Sequence, residues 1–227
     1  MKCWTSIGAI MSKYDQFRGR EPALLTVPGL DNSGPHHWQS LWERSCGCTR
    51  VELGSWTDPD PISWARNLND AIAEQTRPVI LIAHSLGCHA VAWWSRLDEA
   101  LTHKVAGALL VAPPEVEESP LDARVKAFAP LRRGRLPFPS VLAASANDPY
   151  AAFGRSKRMA RTWGSRLVDV GALGHVNADS DIGEWTYGRF LLERLIASVS
   201  AEKPALVKGR AAALLAKTQP FRLALGR

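Results

Sequence analysis

The sequence has few of the features that mark disulfide-rich, metal-binding or membrane proteins. Four of its 227 residues are cysteine, too few for a disulfide framework, and Cys46-Gly47-Cys48 has no second ligand pair nearby that would complete a metal site. No apolar run approaches the roughly 18 residues of a membrane-spanning helix. We therefore expect reduced thiols, a cytoplasmic location, no metal, no cofactor and no membrane span.

Strong net charge is also missing from the body of the chain. The total is +6, but the excess of basic over acidic residues lies in the two ends, +3 over residues 1–20 and +5 over residues 201–227. The sequence predicts an N-terminal extension over residues 1–20 that is poorly ordered, one domain over 21–200, and a basic C-terminal extension over 201–227. A body with so little net charge makes nucleic acid an unlikely partner.

The body alternates short apolar runs with helical patterns. The runs are continuously apolar, as in strands that are covered on both faces of a parallel sheet. They lie at Ala23–Val27, Arg50–Leu53, Pro78–Ala83, Val105–Ala112, Val141–Ala144 and Arg166–Val170. Helical patterns lie at Ile62–Thr76, Leu86–Glu99, Tyr150–Trp163 and Glu184–Val199. This order predicts an α/β fold with a mostly parallel sheet of about six strands and helices on both faces.

The segment around Ser85 carries the strongest indication of chemistry. It runs Ala83-His-Ser-Leu-Gly87 between a predicted buried strand and a predicted helix. The nucleophile elbow of α/β-hydrolases is usually G-x-S-x-G, because strand and helix nearly touch and only small residues fit on either side of the serine. Gly87 fits this pattern, and Ala83 departs from it by one methyl group. Ser85 is therefore the predicted nucleophile.

A serine nucleophile needs a base and an acid that orients the base. His175 follows the last predicted strand, so its loop lies at the carboxyl edge of the sheet, where Ser85 is expected. His36 and His37, after the first strand, also face this edge and compete for the role of base, although substrate contact suits them better. Asp148 follows the preceding strand and gives the chain order Ser, Asp, His of α/β-hydrolases. Asp148 also has an alternative role as the cap of the next helix, before Pro149. The competing acids are Asp122, in a proline-rich segment, and Asp169, within a strand.

The loop after the first strand is predicted to complete the site. An oxyanion in this fold is held by two backbone N–H groups, one after the nucleophile and one from this loop. The sequence assigns them to Leu86 and Leu30, and Gly29 lets the backbone turn beside the pocket. Gly29, His37 and Trp38 are expected to contact substrate. The charged segment Pro113–Pro139 is expected to form a small excursion over the same edge, not a large cap domain.

Several segments together resemble a known family. They are Val27-Pro-Gly-Leu, His37-Trp38, Ala83-His-Ser-Leu-Gly, Val111-Ala-Pro-Pro, Ala146-Asn-Asp-Pro-Tyr, Gly174-His-Val-Asn and Gly183-Glu-Trp. The set is similar to the small α/β-hydrolases grouped with retinoblastoma-binding protein 9, a family of serine hydrolases with many bacterial members. The resemblance implies an α/β-hydrolase fold without a large cap, a triad of Ser85, Asp148 and His175, and hydrolysis of ester or amide bonds in small substrates.

The function expected from these features is acyl transfer to water on a small ester. An amidase or aminopeptidase would use the same three residues. A binding protein that keeps the fold but has weak catalysis is the alternative from a different class. A complete triad argues against it, because a scaffold without catalysis has no need of all three residues.

Overall fold

The computed structural model describes residues 21–97, 99–118 and 122–200. The predicted extensions, 1–20 and 201–227, lie outside the described residues. Within the described part, the helices all fall short of the length and apolarity needed to cross a bilayer.

Six parallel strands form one sheet. They are β1 (Ala23–Val27), β2 (Thr49–Arg50), β3 (Val79–His84), β4 (Val105–Val111), β5 (Ser140–Ala144) and β6 (Arg166–Asp169). Their spatial order is β2-β1-β3-β4-β5-β6, and every neighbouring pair is parallel. All residues of the central strands β3 and β4 are buried, as their unbroken apolar sequences predict.

Five α-helices in the described part of the chain cover this sheet. They are α1 (Trp38–Cys46), α2 (Pro61–Ala73), α3 (Leu86–Leu97), α4 (Phe153–Trp163) and α5 (Thr186–Ser200). Alternate residues of β3 face opposite sides, and each side has its own core. Leu81 packs in a cluster with α2, α3 and α4, while Ile80 packs in a second cluster with α1 and α5. The predicted α/β sheet with helices on both faces is confirmed, and the described residues contain no large cap domain.

The structure differs from the sequence predictions in three local features. Helix α1 was not predicted; it begins where the ring nitrogen of His37 accepts a hydrogen bond from the Gln39 N–H. The second strand pairs over Thr49–Arg50 only, although the predicted strand extended to Leu53. Helix α4 begins at Phe153, not at Tyr150, because Asp148 does not cap it: the N-cap is Ala152 and makes no side-chain bond.

Candidate active site

Ser85 stands at a sharp turn between strand β3 and helix α3. Its backbone φ is +52°, a left-handed conformation that a non-glycine residue adopts rarely and at a cost in free energy. The Ser85 N–H is held by the carbonyl of Val111 at the end of β4, at 2.8 Å. The turn therefore places the serine at the carboxyl edge of the sheet, in the strained geometry typical of a nucleophile elbow.

Two glycines allow the backbone to close around this turn. A Cβ on Gly87 would lie 2.5 Å from the carbonyl oxygen of Pro28 and closer still to that of Val27. A Cβ on Gly29 would lie 2.7 Å from the Cβ of Ser85 and 2.9 Å from the backbone nitrogen of Leu86. The loop after β1 thus packs directly on the elbow, and neither glycine has room for a side chain.

Replacing Gly87 with alanine is expected to destabilise the fold by about 3 kcal/mol, because the added methyl meets main-chain atoms that cannot rotate away. For a domain of this size, that corresponds to a melting temperature lower by roughly 6–12 °C. Thermal unfolding followed by circular dichroism measures the shift.

The matched control is Gly154→Ala in helix α4, where a Cβ would meet nothing within 4 Å. Alanine favours the helix, so this variant should melt at or slightly above the wild-type temperature. An equal loss in both variants would contradict the steric account of Gly87.

Ser85, His175 and Asp148 form one chain of hydrogen bonds. The Nε2 atom of His175 lies 2.8 Å from the Oγ of Ser85. The Nδ1 atom of His175 lies 2.9 and 3.0 Å from the two carboxylate oxygens of Asp148. A carboxylate only accepts, so the proton of the neutral ring resides on Nδ1 and Nε2 accepts from the serine hydroxyl. In this arrangement the imidazole can take the serine proton as the oxygen attacks.

The carboxylate of Asp148 is held in place by its surroundings. Its side chain is 2% exposed, and Oδ1 also accepts from the backbone N–H of Tyr150 at 2.9 Å. The ring of Tyr150 lies against His175, with 4.2 Å between the ring centroids. The competing acids take other partners: Asp122 pairs with Arg124, and Asp169 accepts from the N–H of Gly171.

Two polar side chains that the sequence argument did not single out also fix the histidine loop. Ser145 Oγ accepts from the N–H of Leu173 at 2.9 Å, and Asn147 Oδ1 accepts from the N–H of Gly174 at 2.7 Å. Both residues precede Asp148 at the end of β5. The sequence feature that could have identified them is their position, since polar residues directly after a buried apolar strand lie at the edge that carries the site.

His84, next to the nucleophile, holds the same loop from the other side. Its Nε2 atom lies 2.9 Å from the carbonyl oxygen of His175, so a proton on Nε2 donates to that carbonyl. Burial lowers the pKa of His84 well below its usual value, with smaller contributions from His37 and His175. His84 is therefore neutral at pH 7 and acts on the backbone of His175, not on the Ser85 hydroxyl.

The predicted oxyanion donors occupy suitable places. Leu86 is the first residue of α3, so its N–H has no carbonyl one turn earlier. Leu30 belongs to the loop that packs on the elbow and lines the cleft beside Ser85. Within residues 21–97, 99–118 and 122–200, neither N–H has a hydrogen-bond acceptor in the backbone.

The three predicted substrate contacts have different surroundings. His37 lines the cleft together with Ser85. Gly29 packs against Ser85 and the backbone of Leu86, where it allows the loop after β1 to approach the turn closely. The expectation for Trp38 requires correction: its side chain is fully buried, its Nε1–H donates to the Val176 carbonyl at 2.8 Å, and it packs in the core on the α1 side of the sheet.

The cleft above Ser85 has a volume of about 320 Å³. Its outer wall includes Asp122 and Val125, at the start of a short 3-10 helix that spans Ala123–Phe128. Arg124 joins this wall to the loop after β1 through its ion pair with Asp31, at 2.8 Å. The predicted excursion Pro113–Pro139 therefore borders the cleft. A larger cavity of about 590 Å³ lies between α5 and strands β5 and β6, away from all three residues of the hydrogen-bonded chain.

The described part of the chain contains no group of three or more histidine, cysteine or acidic side chains placed to hold a metal ion. Its cysteines, Cys46, Cys48 and Cys88, are free thiols.

Comparisons with known proteins identify a family and a shared fold. The model of a family described as serine hydrolase matches residues 24–194. The crystal structure of a YdeN-like hydrolase from Pectobacterium atrosepticum has 33% sequence identity and a TM-score of 0.69, over 82% of this chain and 95% of that one. The ydeN gene product of B. subtilis has 18% identity and a TM-score of 0.61, over 78% and 100%. Thermogutta terrifontis esterase 2, at 14% identity and a TM-score of 0.57 over 81% and 86%, shares the fold. None of the curated proteins matches the chain.

The fold is that of an α/β-hydrolase. The family match covers most of the chain, and the chain belongs to the serine hydrolase family.

Proposed function

We propose that the protein cleaves ester bonds of small substrates, with Ser85 as nucleophile, His175 as general base and acid, and Asp148 as the group that orients His175. The observation that carries the proposal is the continuous chain of hydrogen bonds, 2.8 Å from Ser85 to His175 and 2.9 Å from His175 to Asp148. Within the family, we propose the closest kinship with the retinoblastoma-binding protein 9 group, and a cytoplasmic location.

The reaction proceeds in two halves. Ser85 Oγ attacks the substrate carbonyl carbon while His175 Nε2 takes the hydroxyl proton, and the N–H groups of Leu86 and Leu30 hold the negative oxygen. The bond to the leaving alcohol then breaks, and His175 returns the proton to it. In the second half His175 takes a proton from a water molecule as the water attacks the acyl carbon. The bond from that carbon to Ser85 Oγ then breaks, His175 returns the proton to Oγ, and the acid leaves.

An ester is the better substrate for this site than an amide. An alcohol is a better leaving group than an amine and depends less on proton transfer from His175 as the bond breaks. The 320 Å³ cleft suits a small acyl group, since pockets for drug-sized ligands start at about 300 Å³.

We expect p-nitrophenyl acetate and butyrate to be hydrolysed with higher kcat/KM than the p-nitroanilides of alanine and leucine. Release of nitrophenol or nitroaniline, measured at equal enzyme concentration, gives the comparison directly. Faster cleavage of the anilides would contradict the esterase proposal and favour an aminopeptidase that uses the same residues. Folded protein that cleaves neither set would favour a binding protein.

A further inference from the structure

His37 ends the loop between β1 and α1, and the residue is only 4% exposed. Its Nδ1 atom accepts a hydrogen bond from the Gln39 N–H at 3.1 Å and so caps helix α1. An Nδ1 that accepts carries no proton. The proton of the neutral ring therefore resides on Nε2, which makes Nε2–H a donor.

The imidazole ring of His37 is neutral at pH 7. Burial lowers the pKa of His37 to about 4, with smaller contributions from the charges of Arg50 and His175. At pH 7 the ring thus has one N–H, and its position is set by the cap that the other nitrogen makes.

This N–H has no acceptor in the described part of the chain, although the atom is buried. Buried donors without a partner are rare in native proteins because they cost free energy. Four buried side-chain atoms in the described residues share this property: His37 Nε2, His89 Nδ1, Arg132 Nε and Trp185 Nε1. Among these four, only His37 belongs to a residue that lines the cleft with Ser85.

The ring also lies close to the reacting groups. It packs edge-on against His84, with 4.6 Å between centroids, and His84 in turn lies 5.0 Å from His175. The scissile carbonyl oxygen already has two proposed donors, the N–H groups of Leu30 and Leu86. His37 lines the same cleft while its Nε2 atom is covered, so a second acceptor on the substrate would reach this donor after a small displacement of the cleft wall.

We propose that His37 is a substrate-binding residue whose Nε2–H donates to an oxygen that the acyl group carries beside its scissile carbonyl. The site would then favour acyl groups with an ether, hydroxyl or carbonyl oxygen at this position over plain alkyl chains. The inference rests on the proposed esterase function.

The test compares two esters of nearly equal shape, p-nitrophenyl methoxyacetate and p-nitrophenyl butyrate, which differ by an oxygen in place of a methylene. Each kcat/KM is divided by the rate of hydrolysis in hydroxide, which removes the difference in intrinsic reactivity. We expect the wild type to favour methoxyacetate by roughly tenfold, the effect of one hydrogen bond.

Two variants remove the donor in different ways. His37→Asn keeps a side chain that caps helices well but removes the ring N–H, and His37→Phe keeps a ring without either nitrogen. We expect both to lose the preference for methoxyacetate. His36→Asn is the matched control, because the neighbouring His36 is exposed; it should keep the wild-type preference.

A methoxyacetate preference retained in both His37 variants would overturn the proposal. An equal fall for both esters would also overturn it, since the ring would then serve the scissile carbonyl or the fold alone. Failure of the esterase function itself is separate: butyrate hydrolysis would be absent from the wild type, or equally present in Ser85→Ala.

Discussion

Replacing Ser85 with alanine is expected to lower kcat for p-nitrophenyl butyrate by roughly 10⁴- to 10⁶-fold, the range in which a lost nucleophile leaves only binding and oxyanion stabilisation. Ser85 is the only serine, threonine or cysteine that lines the cleft in the described part of the chain. No neighbouring side chain of this type is therefore placed to replace it. Steady-state release of nitrophenol measures the loss.

The matched control for this variant is Ser95→Ala, in the same helix that follows the elbow. The Ser95 hydroxyl is buried and donates to the carbonyl of Ala92, outside the cleft. We expect Ser95→Ala to retain kcat within a few-fold, while both variants keep the wild-type circular dichroism spectrum. Comparable activity in Ser85→Ala and Ser95→Ala would show that hydrolysis occurs elsewhere.

Replacing Asp148 with asparagine is expected to lower kcat by about 10⁴-fold at pH 7, with little change in KM. The aspartate accepts the His175 Nδ1–H, and this leaves Nε2 free to take the proton of Ser85. The amide nitrogen of asparagine is a donor. If it faces the ring it favours the tautomer with the proton on Nε2, which cannot act as base. Kinetics over a series of ester concentrations separate kcat from KM.

Asp169→Asn provides the comparison for the acid. Asp169 is the last residue of β6, also at the carboxyl edge, but its carboxylate accepts from the Gly171 N–H and is exposed. Asparagine can keep that bond through its amide oxygen, so we expect kcat to remain near the wild-type value. A larger loss of kcat in Asp169→Asn than in Asp148→Asn would indicate that Asp169, not Asp148, orients His175.

The sequence predicted the parts of the fold in which one physical signal dominates. Strand β1 was predicted with its observed bounds, and β3 and β4 within one residue at each end, because buried strands of a parallel sheet are apolar without interruption. The sharp turn at Ser85 was predicted because Gly87 and the adjoining strand and helix occur in a fixed order. The closeness of Ser85, His175 and Asp148 then follows from topology, since the carboxyl ends of parallel strands share one edge.

Other features depend on contacts that a linear pattern does not contain. Trp38 was expected to contact substrate, yet its ring packs against Trp42 and Trp185, at 4.7 and 5.3 Å between centroids. Asp148 precedes a proline, as helix caps often do, but its carboxylate is occupied by His175 and the Tyr150 N–H, so the helix begins later. In both cases a contact with a residue distant in sequence, Trp185 for Trp38 and His175 for Asp148, determines where the side chain lies.

The most direct test of the proposed mechanism is reaction of the full-length protein with a fluorophosphonate, followed by intact mass and peptide mapping. We predict one phosphonyl group per chain, attached to Ser85, in the wild type and in Ser95→Ala, and none in Ser85→Ala. Slow labelling of Asp148→Asn would further support the role of His175 as an oriented base. A folded wild-type protein that stays unlabelled, or a label that maps to another residue, would contradict the assignment of Ser85 as the nucleophile.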